Sequence, residues 1–426
     1  MQKVLIVTYY WPPAGGPGVQ RWLYFASYMR EFGVEPVIYT PENAHYPLED
    51  PSLEVHVPAG IKVYQQKIWE PYQLAERLSA SRTKRISSGI INRDNPGRME
   101  RLMLWVRGNL FIPDARKYWV KPSVRYLRGI LNQEGIDSVI TTGPPHSIHL
   151  IGQGLKEQMD VRWIADFRDP WTTIGYHKAL LLSRWAQKKH RILEKSVLNS
   201  ADALITTSSL TRDEFSGLTT RPIHVITNGF SGPQGDSKQP EGAFRLSHIG
   251  SLLSGRNPKA LWKALRSLSE KDKDFERDLQ IDLIGPVSGE VLAALRDENL
   301  EEHLHLTDYI PHEKAIEEQQ NTQVLLLIEI DSPETRGIIP GKFFEYLSAA
   351  RPILAIGPRE WEVASLIDQC KCGKAFEYGD QQEMERVLSD WYQRYKKGAL
   401  TITAKGVDGF HRRALTERLV KEVLWV

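Results

Sequence analysis

Val4-Leu5-Ile6-Val7-Thr8, then Pro12–Gly18, then Arg21–Phe32, then Pro36–Thr40 make up most of the first forty residues, and their order decides the fold. The opening run is apolar and strand-sized. Pro12-Pro13-Ala14-Gly15-Gly16-Pro17-Gly18 is a loop by composition. Arg21–Phe32 spaces Trp22, Phe25 and Met29 along one helical face, with Tyr28 beside them and Gly33 to end the run. Strand, loop, helix, strand implies parallel strands joined by a right-handed crossover.

The pattern returns further along, at Gly135–Thr142, Arg162–Asp166 and Ala201–Thr206. Each reads as a buried strand running into a polar loop, and ligands of such sheets collect at the carboxyl ends of strands. His224-Val225-Ile226 reads as the last strand of this half. Asn228-Gly229-Phe230 then leads into Ser231–Glu241, rich in Gly, Pro and charge, where a domain boundary is expected. A second series follows: Phe244–Ile249, a helix from Pro258, Leu279–Ile284, a helix from Ser288, His303–Leu306, helix Glu313–Gln320 and Val324–Ile328. The expected architecture is α/β, two Rossmann-like doubly wound domains facing across a cleft, over residues 1–228 and 229–410. Residues 411–426 carry Leu415, Leu419 and Val423 on one helical face, a helix expected to pack back on the first domain.

Between the first strands and Gly135 lies an insertion, about residues 66–130. It sets Arg77, Arg82, Lys84, Arg85, Arg93, Arg98, Arg101, Arg107, Arg116 and Lys117 among Leu102, Met103, Leu104, Trp105, Phe111 and Trp119. Such a surface suits an anionic membrane face or an anionic acceptor; a helical subdomain with solvated cations is the plainer alternative. No apolar run approaches the roughly 20 residues that span a bilayer. Met1-Gln2-Lys3 runs straight into the first strand, so no secretory signal is expected.

With 41% hydrophobic and 25% charged residues, the composition is that of a globular protein, and a formal charge of +2 does not point to nucleic acid. Cys370 and Cys372 are the only cysteines. They are too close for an ordinary disulfide and too few for zinc, so a reducing compartment is the simplest setting and no metal is expected.

Residues 340–357 begin Pro340-Gly341-Lys342-Phe343-Phe344-Glu345-Tyr346 and end in the apolar strand Ile353–Ile356 with Gly357. The Gly-bearing turn opens a short helix, and helix N-termini present N–H groups to anions. Glu345, one turn in, is placed to accept from hydroxyls. An anion pocket beside a hydroxyl acceptor describes a nucleotide-sugar site; an ordinary helix-to-strand connection with solvated charges is the alternative.

With these segments in hand, the chain resembles the GT-B glycosyltransferases, in particular the retaining family 4 type. Gly15-Gly16-Pro17-Gly18-Val19-Gln20-Arg21 looks like the family's GG loop. Asn228-Gly229-Phe230 is similar to its Asn-Gly crossover element, and His248–Asn257 to its Gly-Arg-Leu…Lys-Gly segment, whose cations hold the donor diphosphate. Lys342–Leu347 matches the helix whose Glu binds the ribose. There are departures. Gly337 stands where many members carry an earlier Glu, Ser251 where the family usually has Arg, and Arg256 at the Lys position.

The resemblance implies metal-free transfer with retention and no cofactor. A UDP- or GDP-sugar would be held by Gly16, Gly250, Ser251, Arg256, Lys342 and Glu345, with Arg256 the main cation. The acceptor would be a glycan or a lipid-linked glycan of the cell surface, met on the cytoplasmic side with peripheral contact to the membrane. His146, after the strand Val139–Thr142, and Asp169, in Asp166-Phe167-Arg168-Asp169-Pro170-Trp171, join Arg256 as catalytic candidates, with a helix-starting residue held by a local hydrogen bond as the alternative for His146. Pairing of Asp166 or Asp169 with Arg168 is the structural alternative for that segment. His303, His305 and His312 lack metal-ligand spacing and are assigned to surface and loop roles. A sugar-nucleotide epimerase and a nucleotide-sugar-binding protein without transfer are the competing functions. A dinucleotide oxidoreductase is disfavoured, because Arg21 replaces the third fingerprint glycine and Ile38-Tyr39-Thr40-Pro41 offers no ribose-binding acid.

Overall fold

The computed structural model describes residues 1–46, 48–70, 98–178, 180–236 and 238–425. The chain divides into two compact units, Met1–Asn228 with Arg412–Val426, and Gly229–His411.

The first unit is built on seven parallel strands among the described residues: β1 (Gln2–Val7), β2 (Val34–Pro41), β3 (Lys62–Gln66), β4 (Ser138–Gly143), β5 (Arg162–Phe167), β6 (Ala203–Thr206) and β7 (Ile223–Val225). Their order is β3-β2-β1-β4-β5-β6-β7. The second unit repeats the scheme with β8 (Phe244–Ile249), β9 (Leu279–Ile284), β10 (Leu304–Thr307), β11 (Val324–Ile328), β12 (Ile353–Gly357) and β13 (Gly373–Glu377). The order there is β10-β9-β8-β11-β12-β13. Both are doubly wound Rossmann orders, whose topological switch falls beside the first strand of each unit.

Near-continuous apolar runs form these strands because helices cover both sheet faces. Val324, Leu326 and Ile328 of β11 pack into one cluster, while Leu325 and Leu327 enter the other. In β1, Leu5 and Val7 likewise take one side and Val4 and Ile6 the other. The edge strand β3 is largely exposed and β13 is partly so, and neither has an apolar run that would announce it.

Two readings of the sequence need adjustment. The helix after β1 begins at Pro17 rather than Arg21 and runs to Met29, followed by a 3-10 turn Arg30–Phe32. The later part of the insertion is not an appendage. Helix Lys117–Glu134 buries Trp119, Val124, Leu127, Ile130 and Leu131, and Trp119 stacks on Tyr39 of β2 at 4.9 Å. Arg77, Arg82, Lys84, Arg85 and Arg93 lie outside the described residues. Near the C-terminus, helix Arg412–Leu419 continues as a π-helical turn, Val420–Leu424. Its Leu415, Leu419, Val420, Val423 and Leu424 share a core with Trp22, Phe25 and Met29 of the first unit. No helix among the described residues is long and apolar enough to cross a membrane.

Candidate functional site

In the second unit, the carboxyl end of β8 and helix Gly341–Ser348 are tied together by one side chain. Tyr346, buried in that helix, accepts from the Ile249 N–H through its hydroxyl at 3.0 Å. The next residue, Gly250, has φ +122, and a Cβ there would lie 2.7 Å from Lys342 Nζ. Glycine at this position therefore lets the ammonium settle on the backbone beside Ser251, which is exposed. Lys342 also reaches His248 Nε2 at 3.4 Å. Burial, with Arg256 nearby and against the pull of Glu329 and Glu345, brings the Lys342 pKa down to about 8. Lys342, Arg256, Glu329 and Glu345 thus share one electrostatic neighbourhood.

Arg256 ends a 3-10 turn, Ser254–Arg256, ahead of helix Lys259–Lys271. Its Nε and Nη2 lie 3.2 and 2.9 Å from Glu329 Oε1. Glu329 follows β11, is buried, and also accepts from the Ile330 N–H at 2.8 Å. Glu345 accepts from Gln319 Nε2 at 3.1 Å and lies 3.1 Å from His312 Nε2. Sequence reasoning missed Glu329 and His248 and assigned His312 to a surface role. The partners of all three lie on other elements, and strand-to-strand neighbourhoods are not printed in local spacing.

In the first unit, Gly16 has φ +89 at the start of helix Pro17–Met29. A Cβ on Gly18 would fall 2.3 Å from Arg168 Nη1, so this loop cradles a guanidinium. Arg168 donates to the Gly143 carbonyl from its backbone N–H at 3.0 Å and from Nε at 3.3 Å, and Nη2 donates to the Pro144 carbonyl. Burial raises the Asp169 pKa, with Arg168 opposing. The structural alternative in which Asp166 pairs with Arg168 does not hold. Asp166 instead accepts from Arg21 Nη2 at 2.9 Å, Trp22 Nε1 at 2.7 Å and Thr142 Oγ1 at 2.8 Å, all buried. Arg21 reaches on to the carbonyls of Ile226 and Thr227 and to Asn228 Oδ1. The residue that spoils a dinucleotide fingerprint is therefore a strut between β5 and the end of the first unit.

His146 is buried, stacks on Trp171 at 4.9 Å with the rings 2° from parallel, and has neither ring nitrogen hydrogen-bonded. His149 faces Thr141 Oγ1 at 3.0 Å, and His190 accepts from Trp171 Nε1 at 3.1 Å with His177 edge-on to it. No group among the described residues could hold a metal ion. Burial holds all four imidazoles below their ordinary pKa of 6.5, to about 3 for His149 and about 4 for His177. Above pH 6.5 these rings are neutral whether the chain is folded or not. Below it the unfolded chain takes up protons that the folded unit refuses, so stability falls as pH falls. At about 1.36 kcal/mol per pH unit, His149 and His177 each remove roughly 2 kcal/mol by pH 5. Thermal melts at pH 7 and pH 5 are expected to show this loss. Replacing His149 or His177 with Asn should shrink it, and an unchanged loss in both variants would refute the assignment.

Residues 15–229 match the family model described as a glycosyl transferase 4-like domain. No curated protein sequence matches the chain. Among solved structures, HepE from Anabaena in complex with UDP is 11% identical, with each chain covered over 100% and a TM-score of 0.61. The lipopolysaccharide outer core galactosyltransferase WaaB is 14% identical, covering 100% of this chain and 99% of its own, with a TM-score of 0.57. A putative UDP-N-acetylglucosamine 2-epimerase from Listeria monocytogenes, at 11% identity, covers 98% and 94% with a TM-score of 0.56. At such identities the likeness speaks for the fold, which is GT-B. With half of its length under the family model and the doubly wound order in both units, the chain belongs to the glycosyl transferase 4-like family and is a glycosyltransferase.

Proposed function

We propose that this enzyme moves a sugar, with retention and without a metal, from a nucleoside-diphosphate sugar to a glycan or lipid-linked acceptor in cell-surface polysaccharide synthesis. The observation that carries the reading is the gathering of Arg256, Lys342 and Glu345 around the Gly250 turn and the N-terminus of helix Gly341–Ser348. Two cations and a helix N-terminus suit a diphosphate and can stabilise its charge as it departs. Glu345, steadied by Gln319 and His312, suits the two hydroxyls of a ribose. Gly250 and Ser251 would supply close backbone approach. UDP bound to HepE, and UDP-glucose in a further HepE complex, support a UDP-sugar as the donor class.

On the acceptor side, His146 and Asp169 follow the carboxyl ends of β4 and β5. Burial disfavours charge on both, so a neutral imidazole and a carboxyl whose ionisation is disfavoured would orient the acceptor hydroxyl rather than carry its proton at the outset. A lipid-linked acceptor is supported by Met99, Leu102, Trp105 and Leu110, exposed on helix Arg98–Leu110, and by Trp69 and Tyr118, also exposed, whose rings meet at 5.0 Å. Arg101 and Lys117 accompany them, a mixture suited to an anionic membrane face on the cytoplasmic side.

Mass-spectrometric screening of nucleotide-sugar consumption, with soluble and vesicle-borne acceptors, tests the proposal. Consumption that depends on acceptor is expected. Conversion of the sugar with no acceptor present would instead favour an epimerase, and tight binding without turnover a binding protein.

A further inference from the structure

We propose that His248 is a positioning residue that holds Lys342 over Gly250 as a cation for the donor diphosphate. This rests on the donor-site reading above and adds to it the residue that sets the charge in place.

The two cations of the site differ in what they touch. Arg256 is engaged by a carboxylate, Glu329, so part of its field is already answered. Lys342 is instead held by an imidazole. His248 is fully buried on β8, and its Nδ1 lies 3.0 Å from the Leu326 carbonyl. The Leu326 carbonyl can only accept, which puts a proton on Nδ1 and leaves Nε2, with the Ser251 backbone also against the ring, to face the Lys342 ammonium. A protonated His248 would repel that ammonium, and burial together with Lys342 holds its pKa well below 6.5. The partner of Lys342 is therefore neutral and leaves the ammonium its full charge.

Geometry completes the device. Lys342 sits in the first turn of helix Gly341–Ser348, where its charge adds to the positive end of the helix dipole. Gly250 has no side chain to keep the ammonium off the backbone. The charged groups that bear on Lys342 are Arg256, which opposes its protonation, and Glu329 and Glu345, which favour it. An arriving diphosphate favours the protonated form further, so binding is coupled to the charge on Lys342.

The test uses calorimetry on the full chain with the tightest-bound of UDP, GDP, ADP and dTDP, and with its parent nucleoside, from pH 6.5 to 9.5. In the wild type, diphosphate affinity should fall above about pH 8, approaching tenfold per unit. His248→Asn keeps a donor for Leu326 and withdraws the acceptor from Lys342. It should weaken the diphosphate about tenfold, leave the nucleoside unchanged, and move the alkaline fall to lower pH, because the ammonium has lost a stabilising partner. Lys342→Met, at a half-buried position that does not depend on repacking around His248, should abolish the fall. If His248→Asn binds with the wild-type affinity and pH profile, or if the fall persists in Lys342→Met, the proposal is overturned. If none of the four diphosphates binds the wild type, the donor-site reading itself fails. If they bind and respond to Glu345→Ala but not to these two variants, only the role of His248 and Lys342 fails.

Discussion

Arg256→Ala should lower kcat by about 100- to 1,000-fold, the range seen when a single group that stabilises transition-state charge is lost. Glu345→Ala should act differently, weakening nucleotide binding about tenfold with a smaller effect on turnover. The contrast follows from what each group would meet. Glu345 would accept from hydroxyls that do not change during transfer, whereas the charge facing Arg256 grows as the bond to the diphosphate breaks. Arg256→Ala also leaves Glu329, only 3% exposed, without its ion-pair partner. That should cost about 3 kcal/mol, the low end for a broken buried pair, since Arg256 is partly open to solvent. Pairing Arg256→Ala with Glu329→Gln separates the two effects: the double variant should regain stability and remain slow. Steady-state kinetics beside calorimetry decide the matter, and variants that bind and turn over like the wild type would remove Arg256 and Glu345 from the site.

Asp166→Ala should strongly destabilise the first unit, by about 3–5 kcal/mol. It strands the guanidinium of Arg21, whose side chain is 1% exposed, together with the indole N–H of Trp22 and the Thr142 hydroxyl. Arg21, followed by the hydroxyl and indole donors, holds the Asp166 pKa below its ordinary 3.8 against the cost of burial. A carboxylate with a depressed folded pKa contributes stability above the unfolded value and loses it as pH falls through the folded one. Asp166→Asn keeps the shape and part of the hydrogen bonding without the charge, and should fall between wild type and Asp166→Ala. Denaturant unfolding followed by tryptophan fluorescence, which Trp22 and Trp163 of this unit report, measures the series. A loss below 1 kcal/mol in Asp166→Ala would show that the network is not a determinant of stability.

The fold was legible because parallel strands buried on both faces write themselves as apolar runs: Val4–Val7, Phe244–Ile249 and Val324–Ile328 could be read directly. Edge strands β3 and β13 could not, since Lys62, Gln65, Lys374 and Glu377 face partly or wholly to solvent and break the run. In the site, Gly250, Arg256, Lys342 and Glu345 were visible as types in a pattern, but their partners were not. Glu329 lies 73 residues from Arg256, and His248 lies 94 from Lys342. Asp166 shows the same limit. Arg168, two positions away, looked like its partner, and the actual one is Arg21, 145 residues distant across the sheet. Sequence proximity favours the near arginine; strand β5 turns the carboxylate toward helix Pro17–Met29 instead.

The first unit is not contiguous in the chain. It pauses at Asn228 and is completed by Arg412–Val426, whose Leu415, Leu419, Val420, Val423 and Leu424 close the core over Trp22, Phe25 and Met29. On a ribosome, then, the domain that starts first finishes last. Its apolar helix face must wait, uncovered, while the whole of the second unit is translated, until residues 415–424 arrive to seal it.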